Sequence, residues 1–147
     1  MRPRTLISAV TIFVFIFILS GLAAAQEKSN VTIQKVRAPH TSPASGQEMY
    51  VSYCASCHGK DGKGNGPAAP ALKVPATDLT LLSRQNKGVF PADHVATVIG
   101  GAGIAAHGSA EMPVWGTVFR RLSGGHDSEV QQRISNLTKY IESIQSK

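Results

Sequence analysis

Tyr53-Cys54-Ala55-Ser56-Cys57-His58-Gly59 is the stretch on which the fold of this chain turns. Two thiols three positions apart, followed at once by an imidazole, match the Cys-x-x-Cys-His pattern of c-type haem attachment. The spacing has a chemical reason: at a helix end, two such thiols can each add to one vinyl group of the same porphyrin. The next residue then lies under the ring, where an imidazole nitrogen can bind the iron. Cys54 and Cys57 are therefore the expected attachment points of one covalent haem c, and His58 the expected iron ligand.

Other uses of the same residues fit less well. A redox dithiol needs βαβ patterning around it, and no alternating strand pattern of useful length occurs. Zinc needs two further ligands at paired spacing, whereas His40, His94, His107 and His126 are scattered singly. A plain disulfide leaves His58 unexplained. Haem attachment uses both of the chain's two cysteines and leaves no reactive thiol in an oxidising compartment.

A six-coordinate iron takes a second ligand, and Met112 in Glu111-Met112-Pro113-Val114-Trp115-Gly116 is the preferred candidate. Pro113 and Gly116 favour a turn and Trp115 adds a large ring to it, a setting for a rigid ligand loop in which Trp115 also contributes to the cofactor pocket. Met49, five residues before Cys54 on the same helix, reads as a core filler. His107 is the rival distal ligand. A ligating histidine usually donates its other ring nitrogen to a carbonyl. The stiff prolyl peptides of the following loop suggest Pro70, or else Pro67, as its source.

Outward from the motif, Gly46, Tyr50 and Tyr53 share one face of a helix read over Gln47–Cys57. Gly59–Pro75, punctuated by glycines 59, 62, 64 and 66 and prolines 67, 70 and 75, reads as a long loop. Neither a calcium loop nor a phosphate loop is expected there. Position twelve from Asp61 is Leu72 rather than glutamate, and no Gly-Lys-Ser/Thr follows the glycines. Short helices are expected at Asp78–Ser83, capped by Asp78, and at Pro91–Ile99, with Pro91 at the first helical position and Gly100 as the stop. Val130, Ile134, Leu137, Ile141 and Ile144 recur at helical steps, and Ser128 with Gln131 suggests a capping box. This last helix is expected to pack on the first. The fold class is all-α, small and loop-rich, with a modest core that a large apolar cofactor completes.

The other end of the chain bears on location. Arg2 and Arg4 precede an almost wholly apolar run from Leu6 to Leu19, and Ala23, Ala24 and Ala25 form a cleavage site, so residues 1–25 read as an export signal. The apolar stretch over residues 6–25 is also long enough for an uncleaved membrane anchor. Residues 26–44, polar and broken by Pro39 and Pro43, read as a flexible linker, and residues 45–147 as the folded haem domain. The formal net charge of +6 falls to +4 without Arg2 and Arg4, and to about +2 with two ionised haem propionates. A mildly basic surface suits an acidic redox partner. Nucleic acid is not an expected partner, because no basic run is interleaved with aromatics.

From Gly46 onward the chain resembles the class I cytochrome c family. The resemblance rests on Gly46 and Tyr50 in a first helix, CASCHG at 54–59, GPAAPAL at 66–72, EMPVWG at 111–116 and the final amphipathic helix. The CHGKDGKGNGP run and the MPVWG segment are more similar to bacterial single-haem cytochromes and the haem domains of oxidase or dehydrogenase complexes than to the mitochondrial protein. It implies a haem wrapped by the first and last helices, with His58 and Met112 axial and an exposed haem edge. GGAGIAAHG at 100–108, which includes His107, departs from the pattern. The expected function is that of an electron carrier in an extracytoplasmic, periplasmic chain, with redox proteins as partners and no organic substrate or catalysis of its own. A haem subunit of a membrane oxidase or dehydrogenase, and a haem enzyme or sensor with a displaceable distal ligand, are the alternatives.

Overall fold

The computed structural model describes residues 37–101 and 112–146. The export segment of residues 1–25, with its cleavage or anchoring, and His107 and Glu111 lie outside them. The described residues form helices and turns without strands: α1 (Gly46–Tyr53), α2 (Ala55–His58), 3-10 turns at Ala69–Ala71 and Leu79–Leu81, α3 (Leu82–Gln85), α4 (Ala92–Gly100), α5 (Trp115–Leu122) and α6 (Asp127–Ser143). None of these helices is long and apolar enough to cross a membrane.

The core forms where α1, α4 and α5 pack on α6. Tyr50, Phe119, Met49 and Leu137 are its fully buried large side chains, Met49 filling the role expected of it. α1 starts at Ser45, whose hydroxyl accepts the Glu48 N–H at 3.1 Å while the Glu48 carboxylate accepts the Ser42 N–H at 3.2 Å. Its first residue decides how closely it approaches α6. A Cβ on Gly46 would collide with the Asn136 carbonyl and the Tyr140 Cβ, so only glycine lets the first and last helices touch backbone to backbone here.

α6 buries Val130, Ile134, Leu137 and Ile141, as their spacing predicts. The Ser128–Gln131 box is not used. The helix begins at Asp127 behind His126, and Asp127 and Glu129 place negative charge at the positive end of its dipole. α4 likewise differs at its ends: Pro91 is the N-cap, and the stop is Gly101, left-handed at φ 91°. α5 was not foreseen, because a glycine next to Trp115 looked like part of a turn. The helix holds through its two faces, Trp115 and Phe119 buried and Arg120 and Arg121 in water.

The linker expected to reach Ala44 is corrected over its last part. Tyr53 donates its hydroxyl to the Pro39 carbonyl at 2.6 Å and lies 2.7 Å from the Thr41 hydroxyl. Asn136 donates to the Pro43 carbonyl at 2.9 Å. Arg133, 3% exposed, donates to the Thr41 carbonyl at 3.0 Å and pairs with Glu129 at 2.8 Å. Three residues of the folded domain, Tyr53, Arg133 and Asn136, thus tie this segment down, and the two prolines that looked like linker punctuation supply carbonyls to it.

Candidate functional site

The site is built on a break. The helix expected over Gln47–Cys57 is interrupted at Cys54, whose carbonyl accepts both the Cys57 N–H at 3.1 Å and the His58 N–H at 2.9 Å. This tightened turn presents Cys54, the N-cap of α2, together with Cys57 and His58 inside the helix. Such a helix leaves its last four carbonyls without intrahelical donors. The glycine-rich loop supplies them. Gly59 N–H bonds the Ala55 carbonyl at 3.0 Å, Ala68 that of Ser56 at 2.8 Å, Gly66 that of Cys57 at 3.1 Å and Gly64 that of His58 at 2.8 Å. A Cβ on Gly66 would overlap the Ser56 carbonyl, so a bare backbone is needed for this approach. Tyr50 completes the seating by donating its hydroxyl to the Gly59 carbonyl at 2.8 Å; burial pushes its phenol well above the usual range.

Cys54 and Cys57 are both free thiols, Cys54 buried and Cys57 partly so. Burial, with the neighbouring Cys57 adding to it, pushes the Cys54 thiol up to about 12, so it stays protonated. His58 is partly exposed. Burial lowers its imidazole from the ordinary value, opposed by a hydrogen bond between Nδ1 and the Thr77 carbonyl at 2.9 Å. That bond assigns the proton to Nδ1 and leaves Nε2 as the nitrogen with a lone pair for a metal.

The carbonyl is Thr77's, not that of Pro70 or Pro67. Pro70 lies exposed in the 3-10 turn Ala69–Ala71, and Pro67 is exposed before it. The stiffness of a prolyl peptide pointed to the wrong part of the loop. Thr77 is set by its neighbours instead: Gly64, at φ 78°, packs against the Ala76 carbonyl, and Asp78 accepts the Thr80 N–H at 2.9 Å. The Asp78 cap was readable in advance; that it fixes the preceding carbonyl beneath an imidazole from nineteen residues earlier was not.

Met112 immediately precedes the Pro113–Val114 entry to α5 and is half-buried against the core. Trp115, the first residue of α5, is buried with its ring 5.1 Å from Tyr53, in a near-parallel stack, and 6.0 Å from Phe119. Since Tyr53 directly precedes Cys54, this stack joins the Met112 segment to the helix that carries the thiols. Sequence reading missed Thr77, Tyr50's hydroxyl bond and the carbonyl-capping role of the loop glycines.

The donor set suits a c-type haem: two unpaired thiols three residues apart and an imidazole with Nε2 free. It does not suit zinc, because among the described residues no three His, Cys, Asp or Glu side chains converge as a metal cage would require. The family model described as "Cytochrome C oxidase, cbb3-type, subunit III" matches residues 41–121, more than half of the chain. The match starts at Thr41, where the tied-down segment meets Arg133. Neither the curated proteins nor the solved structures include a match. The turn at Cys54–His58 and the family match converge: the chain belongs to the cbb3-type cytochrome c oxidase subunit III family, whose c-type cytochrome domain holds iron in a covalent haem c.

Proposed function

We propose that this protein is a single-haem electron carrier working outside the cytoplasm, with the haem joined through Cys54 and Cys57 and its iron held by His58 and Met112. The observation that carries the reading is the His58 turn. Its two thiols are unpaired, its carbonyls are satisfied by the following loop, and its imidazole is oriented through Nδ1 so that Nε2 is available. When bound, haem c supplies a ferric–ferrous couple.

The chain's own residues do the remaining work. Thr77 accepts from His58 Nδ1 and holds the ring in one orientation, which would limit reorganisation if the imidazole held the haem iron during electron exchange. Met112 offers a soft, uncharged thioether that favours the ferrous state. Trp115 anchors the segment bearing Met112 against Tyr53. Were His58 and Met112 both to hold the iron, it would have no position left for a substrate. The export signal read in residues 1–25 supports attachment outside the cytoplasm.

A second reading is favoured by the family description: the domain serves as a haem subunit of a larger oxidase complex and exchanges electrons inside it. Optical redox titration of the exported protein tests the first reading. A single one-electron transition with a low-spin, six-coordinate spectrum in both states is expected. A five-coordinate, high-spin spectrum would overturn it in favour of a haem enzyme or sensor. Stable co-purification with a membrane oxidase would move the assignment to the second reading.

A further inference from the structure

The residues that follow α6 reach across to the loop beneath His58. Gln145 uses its whole amide there: Oε1 accepts the Ser83 N–H at 2.9 Å, and Nε2 donates to the Leu79 carbonyl at 2.7 Å and the Ile141 carbonyl at 2.8 Å. The Ser146 N–H adds a bond to the Thr80 carbonyl at 2.8 Å. The segment seized this way is the one that presents Thr77. Leu79 N–H also bonds the Gly62 carbonyl at 2.7 Å, and Asp78 takes both the N–H and the hydroxyl of Thr80, at 2.9 and 2.6 Å. A Cβ on Gly62 would press on Ile144 and Thr80, so the glycine loop, the 3-10 turn and the end of α6 meet in one layer.

We propose that Gln145 is a positioning residue for His58: by clamping Leu79 and Ser83 to α6 it holds the Thr77 carbonyl on Nδ1 and thereby tunes the iron's proximal ligand. The inference rests on the reading of His58 as that ligand. A carbonyl on Nδ1 makes the imidazole a stronger electron donor, which stabilises ferric iron and lowers the potential. Gln145 lies just past α6, and among the described residues no side chain of α6 itself bonds to the Leu79–Ser83 segment. The amide satisfies three backbone groups at once, a geometry that a shorter or apolar side chain does not reproduce.

The test compares the holoprotein with Gln145→Ala and with Gln145→Met, which keeps the side-chain volume without the amide. Asn136→Ala serves as control, since it loosens the Pro43 contact on the same helix and touches no part of the His58 loop. Midpoint potential and solvent exchange of the His58 Nδ1 proton in the ferrous state are measured. The expected result is an upward shift in potential and faster exchange in both Gln145 variants, with neither change in Asn136→Ala. Unchanged potential and exchange in the Gln145 variants, with only a lower melting temperature, would overturn the inference and leave the haem reading standing. A parent protein without covalent haem would overturn the haem reading itself and the inference with it.

Discussion

At the scale of single residues, the site separates what chemistry dictates from what packing decides. On the proposed attachment, the identities of Cys54, Cys57 and His58 follow from the covalent demands of one porphyrin and can be read from five letters of sequence. The partner of His58 cannot, because any backbone carbonyl can serve and the choice belongs to whichever loop returns beneath the ring. Thr77 wins through the Gly64–Ala76 approach and the Asp78 cap, neither of which involves proline. Met112 lies between these cases: its residue type suits iron, and its half-buried place beside α5 is compatible with that use. Met112→Ala is expected to lower the midpoint potential and abolish the ferric sulfur-to-iron charge-transfer band. An unchanged spectrum would assign the distal position to His107.

At the scale of elements, α6 and α5 show why a long periodic segment was legible and a short one was not. Five apolar positions at helical steps specify α6 without help, and the buried set matches them from Val130 to Ile141. α5 has eight residues, a glycine second in the run and no side-chain cap, so its helicity depends on burying Trp115 and Phe119 against Tyr53. That is tertiary information. The contact between α1 and α6 turns on Gly46, where even a methyl group meets backbone. Gly46→Ala is expected to destabilise the domain by about 2 kcal/mol, the usual scale of overpacking at a close contact, despite alanine's better helix propensity. Urea unfolding measures it, and a gain in stability would show that the two helices can part without cost.

At the scale of the whole molecule, the chain closes on itself through polar bonds of long sequence separation. Arg133 ties Thr41 to α6 and Gln145 ties Leu79 and Ser83 to its end, so the last helix organises segments from both sides of the haem motif. Composition hid the first of these: a polar, proline-broken stretch resembles a linker until its carbonyls are seen to accept bonds from Tyr53, Arg133 and Asn136. The Arg133 tie has a pH signature. The Ser123 hydroxyl, followed by the Arg133 guanidinium, holds the Glu129 carboxyl below its ordinary value of 4.5. A depressed carboxyl stabilises the fold above its unfolded value and loses that contribution as pH falls through the lower folded value. Stability from Glu129 is therefore expected to be complete above pH 4.5 and to decline below it. Glu129→Gln should be less stable near neutrality and show a shallower acid-side decline in thermal unfolding.

The central claim is that Cys54 and Cys57 join this fold to one haem, and covalency is its most direct measure. The exported protein and its Cys57→Ala variant are denatured, reduced in alkaline pyridine and examined by absorption. The parent is expected to retain all haem on the polypeptide, with the spectrum of a porphyrin whose two vinyl groups are saturated. The variant should retain haem through one bond, with the spectrum shifted accordingly, or lose it. Haem that extracts from the denatured parent, or a variant with the parent's spectrum and yield, would contradict the account.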